Sequence, residues 1–568
     1  MVNPSKTNIM IFTRKYKPEP IEPFKLWGKV IPFTTSVKYL GLFIDTKLSW
    51  KIHLAESREK FYSCMWMCRR AMSKSWGIKA SIALWLYRAV LLPRLLYASV
   101  IWWPRARKVE AKNLLKSLQG SYLRAAVGAM KTTPTEALEI ALCIPPLDLA
   151  VEHAARNTAY RLKCQGEWRN TGLGHTRLDL LQKNLFTLKQ DRILRKYQLV
   201  KRFTIPTRKE WTDPKRVRDP NVDLWFTDGS GINNCFGAGF YGPKDDHRES
   251  IPVGSHSTVF TAEILAILRC TEHLLSNNTK GRKINICSDS RAAILALAKT
   301  TTKSALVWDC MLALERLSGL NKVTLVWVPG HQGIPGNEIA DSLAKKGANE
   351  APSDQVAGIP FAVGKEIIKS CLKREHLSRW EKLETCRQAK TLMENSRPGR
   401  AKELLELTKQ KLRMAVGLLT GHSALLRAHL FNLGLAEQKE CRLCGDEKED
   451  NVHILCHCPA LVCKRYKTWG QANYDYTRHL FHRLFSSCQR LEEVNLVDHH
   501  DDINELTLCK DVKQVYLWQL TSSAIFEQHP KLRAIHVMHD HNSDFFAQMK
   551  EKYPHVSIWS LISGECLV

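Results

Sequence analysis

Apolar residues recur at helical spacing from residue 51 to 165, through FYSCMWMCRRAM, SIALWLYRAVLL and LQGSYLRAAVGAM, and PTEAL from Pro134 reads as a helix start. Residues 1–50 read differently. NPSKTNIMIFTRK, a Pro-rich stretch and IPFTTSVKYLGLFID suggest short strands joined by turns. Residues 166–220 are polar and basic and end in IPTRKEWTDPKRVRDP, the composition of a linker. From residue 221 the pattern alternates: strands at VDLWFTDGSGI, CFGAGFYG and near 249–255, a helix from Thr258, strand KINICSDS, helices near 290 and 305, strand KVTLVWVPG and helix GNEIADSLAKKGA. Three successive strands followed by strand and helix alternation predict a mixed five-stranded sheet with flanking helices over 221–350, a multidomain α/β chain overall. Residues 351–440 read as basic helix, 441–460 as a Cys/His module, and 461–568 carry no identifiable chemistry. At 568 residues the chain exceeds one hydrophobic core and should divide into three or four units.

Charge changes this picture because it is unevenly spread. The formal net charge is +28, yet residues 221–350 hold 13 Lys and Arg against 13 Asp and Glu, so the whole excess lies in the flanks. A neutral block between basic flanks suggests that the flanks hold a polyanion on which the block acts. The N-terminus lacks a secretory pattern, and Arg88, Pro93 and Arg94 interrupt the apolar window at 80–103. A nuclear or cytoplasmic protein, neither secreted nor membrane-bound, is expected. The 18 cysteines are then expected as thiols, a few of them on a metal.

Four carboxylates stand where such a sheet would gather them: Asp228 on the first strand, Glu263 one turn into the first helix, Asp289 at the end of the fourth strand and Asp341 in the last helix. Asp228 and Asp289 interrupt otherwise apolar strands, where an unpaired carboxylate is expensive. Divalent cations remove that cost, and two of them about 4 Å apart can serve an in-line displacement. Hard Mg²⁺, with Mn²⁺ as an alternative, prefers oxygen ligands.

At FTDGSG (226–231), TAEILAI (261–267), CSDSRAA (287–293) and VPGHQGIPGNEIAD (328–341) the chain resembles the type 1 ribonucleases H over about 130 residues. The resemblance implies hydrolysis of RNA paired to DNA with two metal ions. Asp228 would bridge both ions, Asp341 would complete the site that activates water, and Glu263 with Asp289 would complete the other. His331 matches the family's mobile loop histidine, which assists proton transfer or product release. Ser230, Ser290 and Asn337 are candidate substrate contacts, although Asn337 with Glu338 also suits holding helix and loop in place. The family reads 2′-hydroxyls in the minor groove, the group that distinguishes RNA. Only TTTK separates Lys299 from Ser304, so the extended basic helix some members use for grip is absent, and basic flanks would substitute.

The flanks resemble parts of LINE-type (non-LTR) retrotransposon reverse transcriptases. NPSKTNIMIFTRK and VKYLGLFID look like the last palm elements (1–50), and YRAVLLPRLLYASVIWW with PTEALEIALCIPPL like the helical region beyond (51–165). The polymerase aspartates of that family precede this point, so polymerase activity is not expected and Asp45 reads as structural. In CRLCGDEKEDNVHILCHCP, Cys441, Cys444, His453 and Cys458 have the spacing of a tetrahedral Zn²⁺ site, with Cys456 as the alternative to Cys458. The same arrangement resembles the cluster near the C-terminus of these retrotransposon proteins. Cys64 and Cys68 lack a matching second pair and read as core. Expected partners are an RNA/DNA hybrid and a retroelement reverse transcriptase. Two rival readings remain open: an inactive nucleic-acid-binding remnant, and an integrase or transposase sharing the fold, against which GHQGIPGNEIAD speaks.

Overall fold

The computed structural model describes residues 3–13, 21–73, 77–169, 171–172, 174–178, 188–206, 221–350, 355–462 and 464–465, with Lys552 and four short strands in the last hundred residues. Most of the unassigned region 461–568, the end of the NPSKTNIMIFTRK motif and the Pro-rich basic stretch 207–220 lie outside the described residues. Two compact units emerge: Glu152–Leu372, and a second assembled from Met1–Val151 and Lys373–Val568.

In the central unit the elements run β1 (Arg192–Tyr197), β2 (Asp223–Ile232), β3 (Cys235–Gly242), β4 (His247–Gly254), α1 (Val259–Ser276), β5 (Lys283–Ser288), α2 (Arg291–Ala298), β6 (Thr301–Ser304), α3 (Ala305–Ser318), β7 (Lys322–Trp327) and α4 (Pro335–Asn349). The sheet has the order β7-β5-β2-β3-β4, antiparallel through β2, β3 and β4 and parallel through β2, β5 and β7. Three helices begin where the sequence places a hydroxyl: Thr258, Ser290 and Ser304 each accept a hydrogen bond from a backbone N–H three residues on, which satisfies a donor the first turn leaves free. On one face of the sheet Trp225, Phe240 and Val253 pack with α1 and α3 through Leu265, Cys270, Met311 and Leu314.

The other face is packed by close approach. A Cβ on Gly237 would stand 2.2 Å from the Ala344 carbonyl oxygen, and one on Gly239 would stand 2.5 Å from the Ala344 nitrogen. The alternating glycines of CFGAGFYG therefore let α4 lie with its backbone directly on β3. Register completes the placement: Asp228 on β2 sits opposite Gly239, under the turn of α4 that carries Asp341.

The stretch expected to be a linker corrects the sequence reading in part. Within it, β1 pairs antiparallel with β6, Phe203 is buried in the main core at 4% exposure, and Thr204 pairs with Thr324 to cover the free edge of β7. The apolar alternation Phe203, Ile205 was the signal; its basic surroundings masked it.

In the discontinuous unit, residues 1–50 contribute two short hairpins, Lys25–Leu26 with Lys29–Val30 and Ser36–Tyr39 with Leu42–Asp45. Asp45 accepts hydrogen bonds from the backbone N–H groups of Lys47, Ser49 and Trp50 and so braces the turn into the helix Lys51–Arg69. Further helices include Val109–Val127, Thr135–Ala141, Pro398–Glu406 and Lys409–Thr420. Cys64 is buried in this helical core. Across it Gln119 donates to Glu139 at 3.0 Å and accepts from Tyr87 at 3.0 Å. The segment 80–106 bends by 94°, and among the described residues no single helix is long and apolar enough to cross a membrane.

Gly239→Ala is expected to destabilise the central unit by about 1–3 kcal/mol or more, because the new methyl meets helix backbone and not a movable side chain. Gly399→Ala, where nothing lies within 4 Å, is expected to change little. Chemical denaturation of both variants checks the contrast; equal stabilities would contradict the packing argument.

Candidate functional site

Asp228 and Glu263 are buried at 7% and 5% exposure, and one oxygen from each lies, with one from the half-buried Asp289, within 4.8 Å of the other two. Glycine again sets the approach. A Cβ on Gly229 would stand 2.4 Å from the Glu263 nitrogen, so α1 presses its first turns against β2 and delivers Glu263 beside Asp228. A Cβ on Gly330 would fall 2.6 Å from Asp289 Oδ2, so the loop after β7 passes directly over that carboxylate. His331, the next residue, is exposed and has φ of +53°.

Few donors serve these oxygens. Gly229 N–H donates to Asp228 Oδ1 at 2.7 Å and Ser288 Oγ to Glu263 Oε2 at 3.5 Å. Burial, then the charge of Asp289, pushes the Asp228 carboxyl up to about 7. Burial, then the charges of Asp228 and Asp289, pushes Glu263 up to about 9. Converging, desolvated acids that hold protons in isolation are a set that divalent cations would let ionise together. An all-oxygen donor set fits Mg²⁺.

Asp341 stands outside the tight group of three. Its Oδ2 accepts from Lys345 Nζ at 2.6 Å, one turn along α4, while its charge still raises the Asp228 carboxyl. The sequence reading missed Lys345; its i,i+4 spacing from Asp341 was the available signal. It also missed a platform beside Asp289, where the Arg291 guanidinium lies 4.5 Å from the Trp327 ring centre and Trp327 Nε1 donates to the Asp289 carbonyl at 2.9 Å. Ser230 is half-buried two residues beyond Asp228, on the same strand face. Ser290 spends its hydroxyl on the cap of α2. Asn337 is buried at 3% exposure and does not offer its amide to solvent; Glu338 is exposed.

The Cys/His module gathers separately, with Cys441, Cys444, His453 and Cys458 offering donor atoms within 4.8 Å of one another. Cys441 Sγ lies 3.8 Å from Cys458 Sγ, and Cys444 Sγ lies 3.3 Å from His453 Nε2. Glu447 contacts His453 Nδ1 at 3.0 Å, an outer partner that orients Nε2 toward the thiols. Burial raises the Cys444 thiol, but the backbone amides of Asp446 and Glu447 more than offset it and bring the thiol down to about 7. Three sulfurs and one imidazole fit Zn²⁺ with no open position. Cys456 is fully buried outside the group.

A family model described as RNase H matches residues 220–349. The chain is 28% identical over 159 residues to a putative 115 kDa protein in type-1 retrotransposable element R1DM of Drosophila melanogaster, covering 28% of this chain and 15% of that protein. It is 28% identical over 125 residues to a retrovirus-related Pol polyprotein from type-1 retrotransposable element R1 of Bradysia coprophila, covering 22% and 12%. Over 113 residues it is 29% identical to a Pol polyprotein from element R1 4 of Nasonia vitripennis, covering 20% and 28%. The chain thus spans between about an eighth and about a quarter of the length of these three relatives.

The raised acids set a pH dependence. Without divalent ions, the folded protein keeps protons on Asp228 and Glu263 that the unfolded chain releases near pH 4, so stability falls as pH rises from about 4 through 7 and 9. In chelator, Asp228→Asn is expected to lose less stability than the unaltered protein between about pH 4 and about pH 7. Mg²⁺ should raise the melting temperature of the unaltered protein most at the alkaline end. Parallel melting curves for the two proteins at every pH would contradict the assignment.

Proposed function

Since residues 220–349 form a ribonuclease H domain in a chain related to LINE-type R1 retrotransposon polyproteins, we propose that the chain is a type 1 ribonuclease H that hydrolyses the RNA strand of RNA/DNA hybrids. The observation that carries this reading is the convergence of buried Asp228 and Glu263 with half-buried Asp289 inside the matched segment, with Asp341 close enough for its charge to raise the Asp228 carboxyl. Two Mg²⁺ ions, when bound, supply the Lewis acidity for an in-line displacement at phosphorus. Asp228, Glu263 and Asp289 would hold these ions, and Asp341 would join them once its carboxylate turns from Lys345. As the bond from a water oxygen to phosphorus forms, the bond to the leaving 3′ sugar oxygen breaks, and His331 on its exposed loop would take up the proton the water loses, which ends on the leaving oxygen. The Cys441, Cys444, His453 and Cys458 group holds one structural Zn²⁺.

Substrate grip is assigned to the basic flank. Between Arg192 and Arg202 five of eleven residues are Lys or Arg and none is acidic. Arg195, Lys196 and Tyr197 are exposed on β1, which β6 holds at the far end of α2. Eight residues of α2 separate this strand from the Asp289 turn, about 12 Å along the axis. That distance lets one duplex reach both.

Asp228→Asn is expected to abolish cleavage of a labelled hybrid in Mg²⁺ while the protein stays folded. His331→Ala should lose less, within the roughly 10²–10⁴-fold of general acid and base assistance. Residual cleavage by Asp228→Asn near the unaltered rate would sink the reading, and cleavage of duplex DNA in preference to hybrid would favour a transposase-like enzyme.

Arg195→Ala with Lys196→Ala is expected to weaken hybrid binding and make its logarithmic salt dependence shallower by roughly 1–2, since about 0.9 counterion is released per phosphate contact. An unchanged slope in a salt titration would remove β1 from the interface.

A further inference from the structure

We infer that His247, Glu249 and His273 form a second transition-metal site, one for a Zn²⁺-class dication, on the edge of the sheet away from the carboxylates. The three side chains each offer a donor atom within 4.8 Å of the other two. They come from two elements. His247 and Glu249 are two residues apart on β4 and so share a face, the one that carries Ile251 and Val253 into the core beneath α1. His273 lies in the last turns of α1, ten residues beyond Glu263 and so about 15 Å along the helix from it. The site is separate from the hydrolytic centre.

Packing alone accounts for part of this arrangement and leaves one atom over. The imidazoles of His247 and His273 stack with ring centres 3.8 Å apart and rest on Trp225 and Phe240. Yet His247 Nε2 is fully buried with no hydrogen-bond partner, and Glu249 Oε2 stops 3.6 Å short of it. A buried imidazole nitrogen without a partner is costly, and a cation between it and the carboxylate answers that deficit. Asn277, whose amide lies 2.9 Å from His273 Nε2, supplies the outer contact that orients a histidine ligand.

The donor chemistry selects the ion. Two imidazoles and one carboxylate suit Zn²⁺ and its neighbours better than Mg²⁺. Ligand bonds of about 2.0–2.1 Å require the donors to draw closer than they now stand, which half-exposed side chains can do. With three protein ligands the fourth position belongs to water. The ion would staple the outermost strand of the sheet to the end of its longest helix.

The test uses the full chain, equilibrated with low free Zn²⁺ in excess Mg²⁺ so that the carboxylates take the harder ion. Metal analysis should find one zinc fewer per chain in His247→Gln and in His273→Gln than in the unaltered protein, with far-ultraviolet circular dichroism unchanged. Cys458→Ser should lose a different zinc, so that combining it with His247→Gln removes both. Co²⁺ added to the unaltered chain, after mild chelation has emptied the water-open site and left zinc on the closed thiolate module, provides a readout independent of any variant. It should give visible absorption of a nitrogen and oxygen environment without the charge-transfer band that thiolates produce. Equal zinc in the unaltered chain and both histidine variants, or no such cobalt absorption, would overturn the site.

Discussion

Helix backbone meets strand backbone with no side chain between them at Gly229, Gly237 and Gly239, and the carboxylate site depends on those contacts. The apolar cluster on the α4 face of the sheet, where Gly237 and Gly239 lie, is small, with Phe226, Cys287, Val326, Val328 and Ala340 as its buried members. Area alone would hold α4 weakly there. Direct seating replaces bulk with many short contacts between main-chain atoms, each small and together large. It also fixes position: α4 has no lateral freedom where Ala340, Ala344 and Gly347 meet the strands. Asp341 and Glu263 thereby inherit their places from residues that have no chemistry of their own.

Against this rigid frame, the acids are electrostatically unsatisfied. Asp228 and Glu263 are desolvated beside each other and beside Asp289, served by one backbone N–H at 2.7 Å and one hydroxyl at 3.5 Å. The protein tolerates a locally unfavourable cluster because the surrounding core holds it. Lys345 hydrogen-bonds Asp341, and the charge of Asp228 reaches it as well.

How far the sequence foretold this varies with the kind of interaction. The order of strands and helices from 221 to 350 was legible because periodicity two and periodicity 3.6 alternate cleanly there, and hydroxyl caps mark the helix starts at Thr258 and Ser304. Glu263 and Asp341, on helices, were singled out by the resemblance of their motifs, whereas Asp228 and Asp289 were legible because charges in apolar strands demand a reason. Edge pairing was not. Nothing in RILRKY announces that its partner is the short TTKS segment about a hundred residues later, since main-chain pairing carries little side-chain signature. Nor did the sequence announce His247 and His273, which lie 26 positions apart and meet only because β4 and α1 flank the same core. Non-local meetings of single polar residues leave no periodic trace.

The discontinuous unit has a consequence in time. Its first part ends at Val151 and its second begins at Lys373, with the whole central unit between them. On a ribosome adding about 5–20 residues each second, the early helices therefore wait roughly 10–45 s before residues 373–432 can emerge to pack with them. The central unit, continuous in the chain, can close during that interval. The order of synthesis thus makes the sheet the first finished piece. The earlier helical segment, rich in tryptophan and leucine, spends that delay with apolar surface uncovered, which makes it the part of the nascent chain with most need of a chaperone.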